Sequence, residues 1–310
     1  MSVLALSGGI GGAKLALGLY RVLPPETLTV IANTGDDFEH LGLSISPDID
    51  TLLYTLGGID NPEFGWGRRN ETWTFMAALK SLGGETWFKL GDGDLATHIE
   101  RTRRLTAGES LTQITDDFRR RLAISARLLP MSDDRVRTRL RTEEGWLDFQ
   151  DYFVRLHSEP VVREIVYAGA SEARANPDFL AALLNDDLEL VVVCPSNPFL
   201  SVDPMLSLPG VRDALRRCRA PVAAVSPIIG GKAVKGPTAK IMAELGLPIG
   251  AAAIARHYVD ILDLFVADEA DADIVAELEI PVILTRTLMV TLEDRDALAR
   301  RVLAAAGRGF

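Results

Sequence analysis

Gly8, Gly9, Gly11 and Gly12 fall within five residues, and Lys14 follows them. A turn this rich in glycine bares backbone N–H groups, and an ammonium beside it adds charge. The chemistry on offer is the holding of an anion such as a phosphate. The spacing fits neither common fingerprint. G-x-G-x-x-G would need glycine where Lys14 stands, and G-x-x-x-x-G-K-[ST] fails because Ala13 precedes the lysine and Leu15 follows it. The other reading is a tight strand-to-helix turn that binds nothing. Asp36 and Asp37 close the stretch Asn33-Thr34-Gly35-Asp36-Asp37, and Asp48 and Asp50 sit in Ser46-Pro47-Asp48-Ile49-Asp50-Thr51. Each acid has an ordinary use in a turn or at a helix start. Together, beside a phosphate loop, they also suit a divalent metal or a general base, and Asp36 could meet a ribose instead.

Two further stretches could carry ligands. Gly230, Gly231, Lys232, Lys235 and Gly236 form a second glycine–lysine loop ahead of an expected helix. Phe64-Gly65-Trp66-Gly67-Arg68-Arg69-Asn70-Glu71-Thr72-Trp73 sets Trp66 and Trp73 among glycines and arginines. Rigid aromatics there suit a flat ring and arginines an anion, unless the tryptophans simply anchor an insertion.

The elements that must position these groups follow from apolar runs. Val3 to Leu6, Leu28 to Ala32, Leu188 to Cys194, Val222 to Val225, Leu264 to Asp268 and Pro281 to Leu284 read as buried parallel strands. Helical spacing follows the first (Leu15, Leu19, Val22, Leu23) and stops at Pro24-Pro25. In a doubly wound sheet the tips of the first two strands face one crevice, which brings Asp36 to the glycine loop. Between the two groups of strands lie helices over Trp73 to Leu82, Ala96 to Leu105 and Leu111 to Leu122, then a hairpin about Glu144-Gly145. The expected fold is α/β, a Rossmann-like doubly wound parallel sheet with a mostly helical insertion. Residues 1–58 and 161–310 form the core and 59–160 the inserted domain.

At 310 residues with 47% hydrophobic and 25% charged positions, the composition is that of a globular enzyme. A net charge of −10 argues against nucleic acid as a partner. No apolar run is long enough for a membrane span, and Met1 leads almost directly into a strand, so the cytoplasm is the expected location. Cys194 and Cys218 fit a reducing compartment, and the four scattered histidines form neither a zinc pattern nor a triad.

In order along the chain, SGGIGGAKL, NTGDD, SPDIDT, GWGRRNETW, KLGDGDLATHIERT, ARLLPMSDD, FQDYFV, PSNPFLS and AVSPIIGGKAVKGP closely resemble the 2-phospho-L-lactate transferase family (CofD/FbiA) of coenzyme F-420 biosynthesis. The resemblance implies a homodimer that needs Mg2+. It implies transfer of a phospholactyl, phosphoenolpyruvyl or phosphoglyceryl group from a guanylyl diphosphate donor to the deazaflavin 7,8-didemethyl-8-hydroxy-5-deazariboflavin (FO), with release of GMP. Carried over by motif, the deazaflavin contacts fall on Asp50 and Lys89, with Trp66 or Trp73 against the ring. The nucleotide lies against the Gly8–Lys14 loop, Ser196-Asn197 and the Gly230–Gly236 loop. Asp36 and Asp50 are the expected metal ligands, and Asp48 or Asp50 the group that orients or deprotonates the acceptor hydroxyl. Lys14, Lys232 and Lys235 would neutralise the leaving phosphate. Gly93 departs from the pattern, since many relatives carry arginine there. Two other readings compete. One is a sugar-nucleotide-binding regulator of the gluconeogenesis-factor (YvcK-like) group, which shares the glycine loop and the NTGDD-like turn. The other is a nicotinamide-dependent oxidoreductase, which Lys14 disfavours.

Overall fold

The structure, a computed structural model, describes residues 1–306 apart from Phe64 and Lys235. Its strands in chain order are β1 (Ser2–Ser7), β2 (Leu28–Ala32), β3 (Phe38–His40), β4 (Leu43–Ile45), β5 (Arg127–Pro130), β6 (Arg137–Thr142), β7 (Gly145–Asp148), β8 (Glu164–Ala168), β9 (Leu188–Val193), β10 (Val222–Val225), β11 (Ile228–Ile229), β12 (Lys232–Ala233), β13 (Leu264–Asp268) and β14 (Val282–Thr285). The apolar runs read as parallel strands form one parallel sheet, in the order β14-β13-β10-β9-β1-β2-β5. Chain order reverses between β1 and β9. A crevice opens at such a switch point beyond the carboxyl ends of the strands, where the Gly8 loop and Pro195 emerge.

Both faces of the sheet are covered. Leu4, Leu6, Val191 and Val193 point into one core, and Val3, Ala5, Val192 and Cys194 into the other. The second core is closed by α1 (Gly9–Val22), α2 (Pro47–Leu56) and the C-terminal helix Leu292–Ala306. α1 and the C-terminal helix approach closely enough that a Cβ on Gly18 would lie 2.3 Å from the Arg295 carbonyl oxygen.

Three helices follow in the middle of the chain: α3 (Thr74–Ser81), α4 (Asp92–Thr106) and α5 (Leu111–Arg121). The N-terminus of α3 is capped by Asp92 of α4, and that of α4 by Glu71, which precedes α3. The Asp92 carboxylate accepts from the N–H groups of Thr74 and Phe75 at 3.1 and 3.0 Å, and Glu71 accepts from those of Gly93 and Asp94 at 2.7 and 2.8 Å. Both helices share a satellite core (Ile45, Met76, Leu90) with the β3–β4 hairpin. The expected hairpin over β6 and β7 is present, and β8 joins it in a three-stranded antiparallel sheet.

Sheet and satellite core do not divide the chain at 59 and 161. β5 lies inside that stretch yet pairs with β2 in the main sheet, while β3 and β4 precede it yet pack with α3 and α4.

Candidate active site

The glycine loop is shaped first by its protein neighbours. A Cβ on Gly11 would lie 2.4 Å from the Pro195 carbonyl oxygen, and one on Gly12 2.5 Å from Ser196 Oγ. The Gly8 N–H donates to Ser196 Oγ at 3.2 Å and the Gly9 N–H to Asp48 Oδ1 at 2.6 Å. Asp48 thus stands at the N-terminus of α1, where helix geometry favours an anion. Lys14 Nζ donates to the Met289 carbonyl at 2.8 Å, which ties α1 to the chain after β14.

The four acids divide into three settings. Asn33 Nδ2 donates to Asp36 Oδ1 at 3.2 Å and to Asp48 Oδ2 at 3.0 Å, so one amide bridges two buried carboxylates. Burial pushes the Asp36 carboxyl well above its ordinary range, and the neighbouring Asp48 and Asp37 charges add to this. Burial also raises Asp48 to about 6, against the hydrogen bonds from Asn33 and Gly9. Asp37 turns to Ser46 Oγ at 2.8 Å and is raised by burial to about 7. Asp50 faces elsewhere: the guanidinium of Arg101 grips both its oxygens. The expected metal pair of Asp36 with Asp50 is therefore not the pair that the fold builds. Asp36 adjoins Asp48, and Asp50 is committed to an arginine. Asp50, Asp94 and His98 do offer ligand atoms within 4.8 Å of one another, but the Arg101 guanidinium stands against Asp50 and its charge repels a cation there.

All of this lines one cleft of about 900 Å³, at the upper end of the range for small-molecule sites. Of the residues expected at the site, Gly8, Gly9, Gly11, Lys14, Asp36, Asp48, Asp50, Trp66, Lys89, Ser196 and Asn197 line it. Gly12 is buried behind the loop, and Trp73 faces a small neighbouring cavity with Arg68 and Glu71. Gly230, Gly231 and Lys232 are not on the wall. The Gly230 and Gly231 N–H groups donate to the fully buried Asp271 at 3.1 and 3.3 Å, which leaves them nothing for a phosphate. Lys235 lies outside the described residues. The far end of that loop, from Gly236 to Thr238, does reach the cleft.

Several cleft residues are given no role by the sequence, although FQDYFV and KLGDGDLATHIERT hold most of them. Trp87, Phe88, Phe149 and Phe153 form an aromatic wall, with Phe149 and Phe153 stacked at 5.3 Å. Tyr54, Asp94 and His98 line the floor, and Arg101 lies behind it. A signal for the last three exists: 94, 98 and 101 recur at helical spacing, a polar stripe on one face of α4. Beside them Arg68 Nη1 donates to the Gly93 carbonyl at 2.9 Å, and a Cβ on Gly93 would lie 3.4 Å from the Arg68 guanidinium carbon. Arg68 and Glu71 fill the room beside Gly93.

An α/β sheet with a large cleft at its switch point, lined by glycines, paired carboxylates and an aromatic wall, has the architecture of a protein that acts on a small molecule. The chain matches the family model described as 2-phospho-L-lactate transferase CofD over residues 3–296, and it belongs to that family. It is 43% identical over 316 residues to a phosphoenolpyruvate transferase from Kitasatospora aureofaciens, covering 99% of this chain and 98% of that protein. It is 41% identical over 306 residues to a 2-phospho-L-lactate transferase from Methanosarcina mazei, covering 98% and 100%. A UPF0052-family protein from Bacillus halodurans superposes with a TM-score of 0.65 at 16% identity, covering 97% and 99%, a likeness of fold. The protein is thus an enzyme, a transferase of coenzyme F-420 biosynthesis, and the regulatory and oxidoreductase readings are not favoured. Among the described residues no helix is long and apolar enough to cross a membrane.

Proposed function

We propose that this transferase moves a three-carbon phospho-acid group from a guanylyl diphosphate donor to the hydroxyl that ends the ribityl chain of FO, releasing GMP. The observation that carries this reading is the single cleft with two unlike walls. Lys14 and the Asn197 side chain, whose Nδ2 is a buried donor with no hydrogen-bond partner among the described residues, supply charge and a donor for a nucleotide diphosphate, while Trp87, Phe88, Phe149 and Phe153 supply apolar planes for a flat ring. Lys89 and Trp66 lie on the same cleft and would meet the deazaflavin.

The donor set at Asp36 and Asp48 fits a hard divalent cation: two buried carboxylates share one amide donor, and burial disfavours their charge. Mg2+ held there would neutralise charge on the diphosphate. With that pair assigned to the metal, Asp50 is left to meet the acceptor. It orients the attacking hydroxyl and receives its proton, while the hydroxyl oxygen bonds to the phosphorus that bears the three-carbon group. The bond to the GMP oxygen breaks, and GMP leaves with the electron pair. In-line transfer of this kind depends on positioning and charge neutralisation more than on a strong base. Lys14, pinned at Met289, lies at the loop where the leaving phosphate would rest.

The test is incubation of the protein with FO, Mg2+ and guanylyl donors carrying phospholactate, phosphoenolpyruvate or phosphoglycerate. Relatives named for the first two stand at similar identity, 41% and 43%. The expected result is GMP release matched by a more anionic fluorescent deazaflavin with one donor. No product with any donor overturns the reading.

A further inference from the structure

Arg101 heads the large side chains that are fully buried, at 1% exposure on α4. Its Nη1 donates to Asp50 Oδ2 at 3.0 Å and its Nη2 to Asp50 Oδ1, a two-pronged grip. Nη1 also lies 3.4 Å from the Ser44 carbonyl oxygen and from His98 Nδ1. The His98 ring stands between two carboxylates, with Nδ1 3.6 Å from Asp50 Oδ2 and Nε2 3.2 Å from Asp94 Oδ2. Asp94 in turn accepts from the Tyr54 hydroxyl at 2.5 Å. The chain of contacts runs from α2 to α4 and back.

A buried ion pair is a poor device for stability, because well-packed apolar residues do as well or better. It does fix direction. Burial opposes the guanidinium charge, and Asp50 more than offsets it, holding the Arg101 pKa above its ordinary value. Each Asp50 oxygen has lone pairs left after the grip, and Asp50 lines the cleft. A carboxylate already neutralised by arginine is also a poor ligand for a cation, in contrast to the Asp36–Asp48 pair.

We propose that Arg101 is the positioning residue of the transfer: it acts through Asp50, fixing that carboxylate as the acceptor of the substrate hydroxyl's hydrogen bond and withholding it from the metal. This inference rests on the proposed function, in which Asp50 meets the acceptor. Arg101 itself does not touch substrate.

The test is a double-mutant cycle of the wild type, Arg101→Lys, Asp50→Asn and the double variant, with kcat and KM measured for FO and donor separately. Arg101→Lys should lower kcat/KM for FO at least tenfold and change the donor KM less than about twofold. In the Asp50→Asn background it should change kcat/KM for FO less than about twofold. Equal fractional losses in both backgrounds, or a matching rise in the donor KM, overturn the inference and leave the proposed function standing. If Arg101→Lys melts below the assay temperature, equilibrium FO binding to Arg101→Gln/Asp50→Asn is compared with Asp50→Asn alone. Equal affinity supports the inference and a tenfold difference overturns it. A wild type that turns over no donor overturns the proposed function, and this inference with it.

Discussion

Asp37 and Asp48 are two residues from the same acid cluster with different obligations. Asp37 is raised by burial to about 7, against Arg137 and the Ser46 hydroxyl. A carboxyl whose folded pKa exceeds its unfolded value gives stability that is complete below the unfolded pKa of about 4 and lost as pH rises through the folded one. Asp37→Asn has no such titration and can keep the Ser46 contact. The wild type should therefore lose up to about 3 kcal/mol relative to Asp37→Asn between pH 5 and pH 8. Urea unfolding at the two pH values measures it, and parallel pH dependences would show Asp37 ionised throughout. Asp48→Asn can still accept from the Gly9 N–H, but the charge is gone. If Asp48 holds the metal as proposed, its loss should lower activity on the order of 100-fold or more. The same change relieves the repulsion between Asp36 and Asp48, so the metal-free variant should melt higher than the metal-free wild type. A lower melting temperature would mean that Asp48 acts chiefly as the cap of α1.

At the scale of elements, α1 meets one neighbour at each end through a glycine. Gly11 touches the Pro195 carbonyl and Gly18 the Arg295 carbonyl, at 2.4 and 2.3 Å from a built Cβ. Either change to alanine must push backbone apart, at a cost of about 1–3 kcal/mol. The functional results should differ. Gly11→Ala moves the start of α1, where the nucleotide is proposed to bind, and should weaken GMP binding at least tenfold, whereas Gly18→Ala acts on the far end of the helix and should lower the melting temperature alone. Calorimetric titration of both variants with GMP and Mg2+ separates them, and equal affinities would remove the loop from the nucleotide site. The capping of α3 by Asp92 and of α4 by Glu71 belongs to this scale too. It holds the start of α4, and so Asp94 and His98, at the floor of the cleft.

At the scale of the molecule, the two walls of the cleft come from different parts of the chain. The wall proposed to take the nucleotide is made by the loops after β1 and β9. The aromatic wall is made by the segment before α4 and by the π-helical turn Asp151–Arg155 after β7. The walls should respond separately. Phe153→Ala should raise the FO KM about three- to tenfold, the worth of one aromatic stack, and leave the donor KM within twofold. Asn197→Ala should do the reverse. Initial rates with each substrate varied in turn measure the split, and a joint rise for either variant would mean that donor and acceptor do not occupy separate walls.

The sequence by itself determined six of the seven strands of the parallel sheet and where they end. These depend on near neighbours: unbroken apolar runs need two covered faces, and glycine ends the first run, although Gly9, Gly11 and Gly12 then open α1 rather than form the expected turn. β5 escaped because Arg127-Leu-Leu-Pro130 sets only two apolar residues between an arginine and a proline, whereas β10, of the same length, is apolar throughout. The roles of the acids were decided by the tertiary structure. Asp50 meets an arginine 51 positions away, and Gly230 and Gly231 give their amides to an aspartate about 40 positions away, neither marked by local spacing. Which carboxylate pairs with which depends on how helices pack. A carboxylate has the same chemistry until packing chooses its neighbour, whether Asn33 between two acids or Arg101 beside one.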